Sequence, residues 1–420
     1  MNAAHGAWVF ALATGLSVSS GGAEQFGLFT YREVEGTVEI TGFPKDLEIH
    51  VDIPAEIDGM PVTAITSEGD PREDLNNGAF AFSQITSVTI PDSVTTIGEA
   101  AFGVCFNLTS VRIPDSVTTI GDSAFYQSNG LVSVDLGEGV NSIGSLAFFE
   151  CFRLANLSFP ESLTAIGDRA FEGCALTSIS FGRNLASIEF GAFFRCDELR
   201  TVVFPEALSF MGSYCFDQCA ALSAAIFLGS APAMIESSNV FNRASPGFTV
   251  YFLDGNTGFN TPTWTPIPGA SHSYPSHSLA TAPTGAEIWL LGHGLPMNTD
   301  LDLDSNGDGV NHLMAYALDL DPDAEFIRDP VEPVLGSDSL SITFFAGRED
   351  VIYTPQASSD LETWSTDGVT LSEVDLQGRR TASVNNREAR RFLRLHLEPG
   401  EHNARKEQVG GERQLIGLSQ

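Results

Sequence analysis

From Ile85 to Leu222 the apolar positions recur every 23 residues, with one copy a residue shorter. Copies open at Ile85, Leu108, Leu131, Leu154, Leu176 and Leu199, and a decayed copy opens at Leu222. In the copy that starts at Leu108, apolar residues fall at Leu108, Val111 and Ile113, then at Val117 and Ile120, then at Phe125. The first group alternates as a short half-buried strand does. Pro114 ends that strand, because proline has no N–H to give to a ladder. Val117 and Ile120 form a second inward pair, Gly121 turns the chain, and Phe125 plugs the core, with Phe102, Phe148, Phe171, Phe193 and Phe216 stacking on it. One such unit cannot bury its apolar face alone, so the pattern predicts stacked rungs: a mostly β solenoid.

The repeat L-x-x-V-x-I-P-x-x-V-x-x-I-G-x-x-A-F-x-x-C resembles the BspA-type leucine-rich repeat of bacterial surface proteins. Residues 28–84 resemble the N-terminal end of such arrays, and residues 226–259 resemble their C-terminal end. This resemblance implies a leucine-rich-repeat solenoid with a cap over 24–84, repeats over 85–225 and a second cap over 226–268. It also implies adhesion to host or neighbouring-cell surfaces.

Cys105, Cys151, Cys174, Cys196 and Cys219 each lie three residues after the column Phe, where Ser128 stands in the odd copy, and Cys215 replaces the column Ala. Stacked rungs bring neighbouring cysteines within about 5 Å, but their side chains point the same way and five in a row cannot all pair. A buried ladder of small apolar thiols is therefore favoured over a disulfide framework. There is no C-x-x-C or Cys/His spacing for a metal.

A solenoid binds through its repeated surface. The outward strand positions form two columns. One is Ser87, Ser110, Ser133, Asn156, Ser178 and Thr201, and the other is Thr89, Arg112, Asp135, Ser158, Ser180 and Val203. Except for Val203, these are the candidate binding residues: a hydroxyl-rich face without aromatic platforms, suited to hydrogen-bonding a protein strand, a glycan or a second copy of the chain.

Outside the repeats, an apolar run of ten residues, Ala7 to Leu16, is followed by small residues at Gly21, Gly22 and Ala23, and 1–23 is expected to be a secretory signal peptide. No later run reaches the roughly 18 apolar residues of a membrane helix, and no apolar anchor is expected at the C-terminus. Residues 269–283, rich in Pro, Ser and Thr, are expected to be a linker. In 284–330 a short amphipathic helix over Gly285–Leu295 precedes an acidic loop, and 298–330 holds nine Asp or Glu against one Arg. Oxygen ligands alternating around a tight glycine turn suit calcium. In that register Asp304, Asn306 and Asp308 take loop positions one, three and five. Val310 gives its carbonyl at seven, His312 stands at the water-bridged ninth position, and Asp302, Asp300, Asp319 or Asp321 completes the shell. The twelfth position, where a bidentate acid belongs, is Ala315, so weak affinity is expected. The segment resembles the dockerin-like calcium segments of secreted bacterial proteins. Runs at 340–345, 351–358, 368–376 and 390–397 predict a small antiparallel β module over 331–398, with Trp364 in its core and a disordered tail over 399–420.

The net charge of −33, from 21 Lys and Arg against 54 Asp and Glu, excludes nucleic acid and anionic membrane as partners. No nucleophile-elbow, zinc-protease, P-loop or dinucleotide motif is present. The expectation is a non-enzymatic, secreted or cell-surface protein that binds an extracellular protein or cell-surface ligand through the strand face. Two rival readings are carbohydrate binding or carbohydrate-directed activity through the C-terminal β module, and self-association into an envelope or matrix layer.

Overall fold

A computed structural model of the chain describes residues 24–67, 77–234, 239–266, 272–303, 310–318, 320, 333–335, 339–348, 351–359, 363–375, 379–385 and 392–399. The expected signal segment and most of the expected tail lie outside these residues. The chain divides at Ala282/Pro283 into two compact units.

The first unit is the solenoid. Each rung contributes a strand such as Ser110–Arg112, a turn opened by proline or, at Gly137 and Gly182, by glycine, and a second short strand such as Thr119–Ile120. The second strands pair in parallel without interruption from Thr96–Ile97 through Ala233–Met234. The inward positions behave as their spacing demands: Leu108, Val111, Ile113, Val117, Ile120 and Phe125 are all at most 1% exposed. The column rings from Phe80 to Phe216 stack with centroids 4.9–5.3 Å apart and planes within 8°.

Hydrogen bonds tie each column Phe to the rung that follows it. The Phe148 N–H donates to the Ala170 carbonyl of the next rung at 2.7 Å, and the Phe148 carbonyl accepts from the Cys174 thiol of that rung at 3.2 Å. Cys105, Cys151, Cys196 and Cys219 repeat the thiol contact at 3.1–3.2 Å, and Ser128 makes it with its hydroxyl to the Phe102 carbonyl at 2.8 Å. All six cysteines are unpaired and buried. Burial pushes the Cys105 and Cys151 thiols up to about 12, which keeps them neutral and unreactive.

Two local features go beyond what the pattern indicates. Gly121 is needed for close approach: a Cβ there would lie 2.7 Å from the backbone of Gly98. The Ala-Phe dipeptide of each rung sits between two left-handed residues, for example Leu146 (φ 60°) and Glu150 (φ 53°) around Phe148. Non-glycine residues pay about 1–2 kcal/mol for that conformation, so rung-to-rung bonding must hold them there.

The ends are closed. At the N-terminus Glu24–Phe26, Phe29–Val34 and Thr37–Gly42 form an antiparallel meander, and Thr37–Gly42 then pairs in parallel with Met60–Ile65. Phe43 carries the ring stack into this cap, 5.1 Å from Phe80. At the C-terminus Trp264, 1% exposed, packs among Phe227, Phe259 and Tyr274. Here the expected linker is corrected: Tyr274–Leu279 is a strand that pairs in parallel with Thr249–Leu253 and antiparallel with Thr263–Trp264. Tyr274, Ser276 and Leu279 face inward, and Pro275 is exposed.

The second unit has one core, not the two modules expected. α1 (Gly285–Gly292) opens with a Thr284–Glu287 capping box, and α2 (His312–Leu318) is buried along its length. Trp289, Leu290, Met314 and Tyr316 share a cluster with Ile342, Phe344, Val351, Ala382 and Leu395 of the sheets. One sheet joins Pro333–Leu335, Ser339–Phe345, Arg379–Asn385 and Val369–Leu371, and a second joins Val351–Ser358 to Phe392–Pro399. The strand Arg379–Asn385 escapes the pattern because only Ala382 and Val384 are buried in it.

The thiol ladder makes a sharp prediction. Cys174→Ser keeps a donor for the Phe148 carbonyl, as Ser128 does naturally, and should cost under about 1 kcal/mol in urea unfolding. Cys174→Ala leaves that carbonyl unsatisfied and should cost about 1–3 kcal/mol. Equal costs would remove the hydrogen bond from the account.

Candidate functional site

The first strands of the rungs build the candidate face, but not as a single sheet. His50–Asp52 pairs with Ser87–Thr89. Ser110–Arg112, Ser133–Asp135 and Asn156–Leu157 form a second ladder, and a third starts at Ser178–Ser180 and runs through Thr201–Phe204. The break between Leu157 and Ser178 coincides with the short copy, where one residue rather than two separates Cys174 from Leu176.

The two expected columns differ. Thr89, Arg112, Asp135, Ser158 and Ser180 are exposed, as the alternation requires. In the other column Ser178 is exposed and Ser87 and Ser110 are half-buried, but Ser133 and Thr201 are each 2% exposed and are not open binding positions. The cause is their place in the ladders. Ser110 and Ser178 lie on edge strands, whereas Ser133 and Thr201 are covered by a neighbour on both sides. Asn156 continues this column by pairing with Ser133.

Sequence reasoning missed the first rung of the face. His50 registers with Ser87 and Asp52 with Thr89, so both columns extend one rung toward the N-terminus. The signal was present: HVDIP at 50–54 matches SVRIP at 110–114, outside the regular spacing. His50 Nδ1 lies 2.7 Å from Ser87 Oγ, and its Nε2 lies 2.9 Å from Asp52 Oδ1 and 3.2 Å from Thr89 Oγ1. Hydrogen bonds from His50 and Thr89 hold the Asp52 carboxyl below the usual carboxylate range. Further along, Arg112 Nε and Asp135 Oδ2 approach to 3.5 Å with both side chains open to solvent. The exposed aromatics Phe106 and Phe152 lie elsewhere, in the turn directly after the cysteine position.

Of the expected calcium ligands, Asp304, Asn306 and Asp308 lie outside the described residues, as do Asp319 and Asp321. Asp302 is exposed, Val310 is 9% exposed, and His312 is 2% exposed with Nδ1 3.0 Å from the Asp300 carbonyl. Backbone bonds from His312 to Leu303 and from Leu313 to Leu301 draw the two flanks of the loop together. Ala315 is fully buried inside α2, so the twelfth position belongs to the core and cannot carry an acid.

Known proteins bear on the array. Residues 73–185 and 126–245 match the family described as BspA type Leucine rich repeat region, in six copies. Over residues 73–245 the repeat array is similar to BspA-type leucine-rich repeats. A leucine-rich repeat protein of T. pallidum is 22% identical over 54% of this chain and 84% of its own, with a TM-score of 0.31. A leucine rich cell surface protein of Faecalibacterium prausnitzii is 22% identical over 56% of this chain and 89% of its own, with a TM-score of 0.34. The pneumococcal vaccine antigen PcpA is 14% identical over 56% and 82%, with a TM-score of 0.28. No curated protein matches the chain. Among the described residues, no helix is long and apolar enough to cross a membrane.

Because Arg112 and Asp135 meet in open solvent, their coupling should be small, under about 1 kcal/mol. Replacing both by Ala should change urea-unfolding stability by less than about 0.5 kcal/mol. A loss above about 2 kcal/mol would mark them as structural rather than free to meet a partner.

Proposed function

We propose that the chain is a secreted or cell-surface binding protein that engages an extracellular protein partner, without catalysis, through the exposed column from Asp52 and Thr89 to Ser180. One observation carries this reading: successive rungs present Thr89, Arg112, Asp135 and Ser180 outward on strands, and Ser158 just after one, over inner residues packed into a continuous core. Such a column is polar, preorganised and regularly spaced, which lowers the ordering cost of docking an extended partner. The BspA-type match over the array supports a surface location and an adhesive role, by family analogy.

Of the rival readings, self-association through the strand face uses the same exposed column and is separated from protein binding by its concentration dependence. The caps at both ends of the array oppose only end-to-end stacking. A sugar platform in the C-terminal unit would need a free Trp364 face, and the Arg394 guanidinium lies 4.3 Å from that ring. For calcium, the donors around the acidic loop are oxygen groups that suit a hard cation. Asp304, Asn306 and Asp308 would hold it, helped by Asp302 and the Val310 carbonyl, and it would stiffen the start of α2.

The test is binding of the full chain to an array of extracellular-matrix proteins and glycans. A protein hit should lose at least about tenfold in affinity, roughly 1.4 kcal/mol, in the double variant Ser158→Arg, Ser180→Arg, with an unchanged melting curve. Retention of full binding by that variant would contradict the assignment. A glycan hit, or concentration-dependent self-association abolished by the same variant, would replace it with a rival.

Calcium should raise the melting temperature of the second unit within the full chain, since a ligand that binds only the folded state stabilises it. Asp304→Asn with Asp308→Asn should remove that rise. A melting curve indifferent to chelator would discard the metal.

A further inference from the structure

Away from the strand face, the two most exposed phenylalanines stand on one ridge. Phe106 and Phe152 are 50% and 54% exposed, more than any other phenylalanine among the described residues. Each directly follows a ladder cysteine, in the turn that leads into the next first strand. The same place is held by exposed Gln84 one rung before Phe106 and by half-buried Asn129 between the two rings. Amide and ring therefore alternate over four successive rungs, Gln84, Phe106, Asn129 and Phe152. The series stops at the short copy, where Ala175 takes the position.

A single exposed ring needs no explanation, but three observations set this ridge apart. First, the fold does not call for phenylalanine there, since Gln84, Asn129, Ala175 and Asp197 occupy the same place in other rungs. Second, the chain makes room for the ring. Phe152 leans over Gly173 of the next rung, where a Cβ would lie 3.4 Å from its Cε1. Third, the ridge is uncharged in a chain of net charge −33: its four residues and the flanking Asn107 and Gly130 carry no ionisable group, and Arg153 stands at its far end. Asn107 Nδ2 donates to Gln84 Oε1 at 3.0 Å, which fixes the first amide.

We propose that this ridge binds an extended, uncharged β-linked glycan that runs along the solenoid axis, one sugar to a rung. The column rings Phe102, Phe125 and Phe148 set the rung spacing beneath it, with centroids 5.3 and 5.0 Å apart. The sugars of an extended β-linked chain advance by nearly the same step, so register is kept from Phe106 through Asn129 to Phe152. The apolar C–H faces of the first and third sugars rest on the two phenylalanines, which supply the contact area. The hydroxyls of the middle sugar meet the Asn129 amide. An uncharged tract fits an uncharged chain, because no charge has to be stripped of water on binding. The ridge is separate from the column that runs from Thr89 to Ser180, and its failure would leave that reading intact.

The test is calorimetric titration of the full chain with glucose, cellotriose, cellohexaose, chitohexaose and maltohexaose. Cellohexaose or chitohexaose should saturate in the millimolar range or below. Cellotriose should bind at least about tenfold more tightly than glucose, because it spans both rings. Maltohexaose, whose α-linked sugars coil out of register, should bind at least about fivefold more weakly than cellohexaose. Phe106→Ala and Phe152→Ala should each weaken the binding about fivefold, and together they should abolish it, with the melting curve unchanged because both rings lie on the surface. Ser158→Arg with Ser180→Arg should leave it intact, which separates the ridge from the strand face. The proposal is overturned if neither hexaose saturates at tens of millimolar, or if the double phenylalanine variant keeps full affinity. It is equally overturned if maltohexaose binds as well as cellohexaose, if glucose binds as well as cellotriose, or if the strand-face variant removes the binding.

Discussion

A single rung of this chain cannot bury its own phenylalanine. Each column ring is stacked between the rings before and after it, about 5 Å away on either side. The same adjacency satisfies the backbone: the N–H of each column Phe finds a carbonyl in the next rung, and its carbonyl finds that rung's thiol or hydroxyl. Because stability resides between rungs rather than within them, the array behaves as a chain of nearest-neighbour interfaces. Close approach then favours glycine at Gly98, Gly121, Gly144, Gly167 and Gly212, with Glu189 in that column of one copy, while left-handed residues flank every Ala-Phe pair.

That requirement also explains the ends and the surface. A terminal rung would expose a ring and an unpaired strand edge, so each end adopts a different geometry. The antiparallel hairpin at the N-terminus and the Trp264 cluster at the C-terminus are the two solutions. Outward strand positions escape these demands. They vary between His, Ser, Thr, Arg and Asp from rung to rung while the inward ones scarcely change. A rigid frame with a variable exposed column is the physical basis for the proposed binding role.

Much of the solenoid is legible in the sequence, because the period repeats the same burial decision many times. The Phe and Cys columns needed only that repetition. Features that depend on three-dimensional neighbours were not legible. Ser133 and Thr201 look like Ser110 and Ser178 in the repeat, yet inner and edge strands bury the same side chain differently. Tyr274–Leu279 has the composition of a linker, and it becomes a strand because the cap offers it an open edge on Thr249–Leu253. His50 and Asp52 were hidden by irregular spacing before the first full copy. The left-handed residues leave no trace, since residues as different as Leu146, Arg169 and Tyr214 occupy one of those positions.

The central claim is that rung-to-rung bonding, centred on the Ala-Phe pair, holds the array together and fixes its outward column. Hydrogen exchange of the full chain, read by mass spectrometry, tests it most directly. The account predicts that the amides of Phe102, Phe125, Phe148, Phe171 and Phe193 exchange together, at the slow rate set by cooperative unfolding. Rapid exchange of these amides while the outward strands stay protected would contradict it.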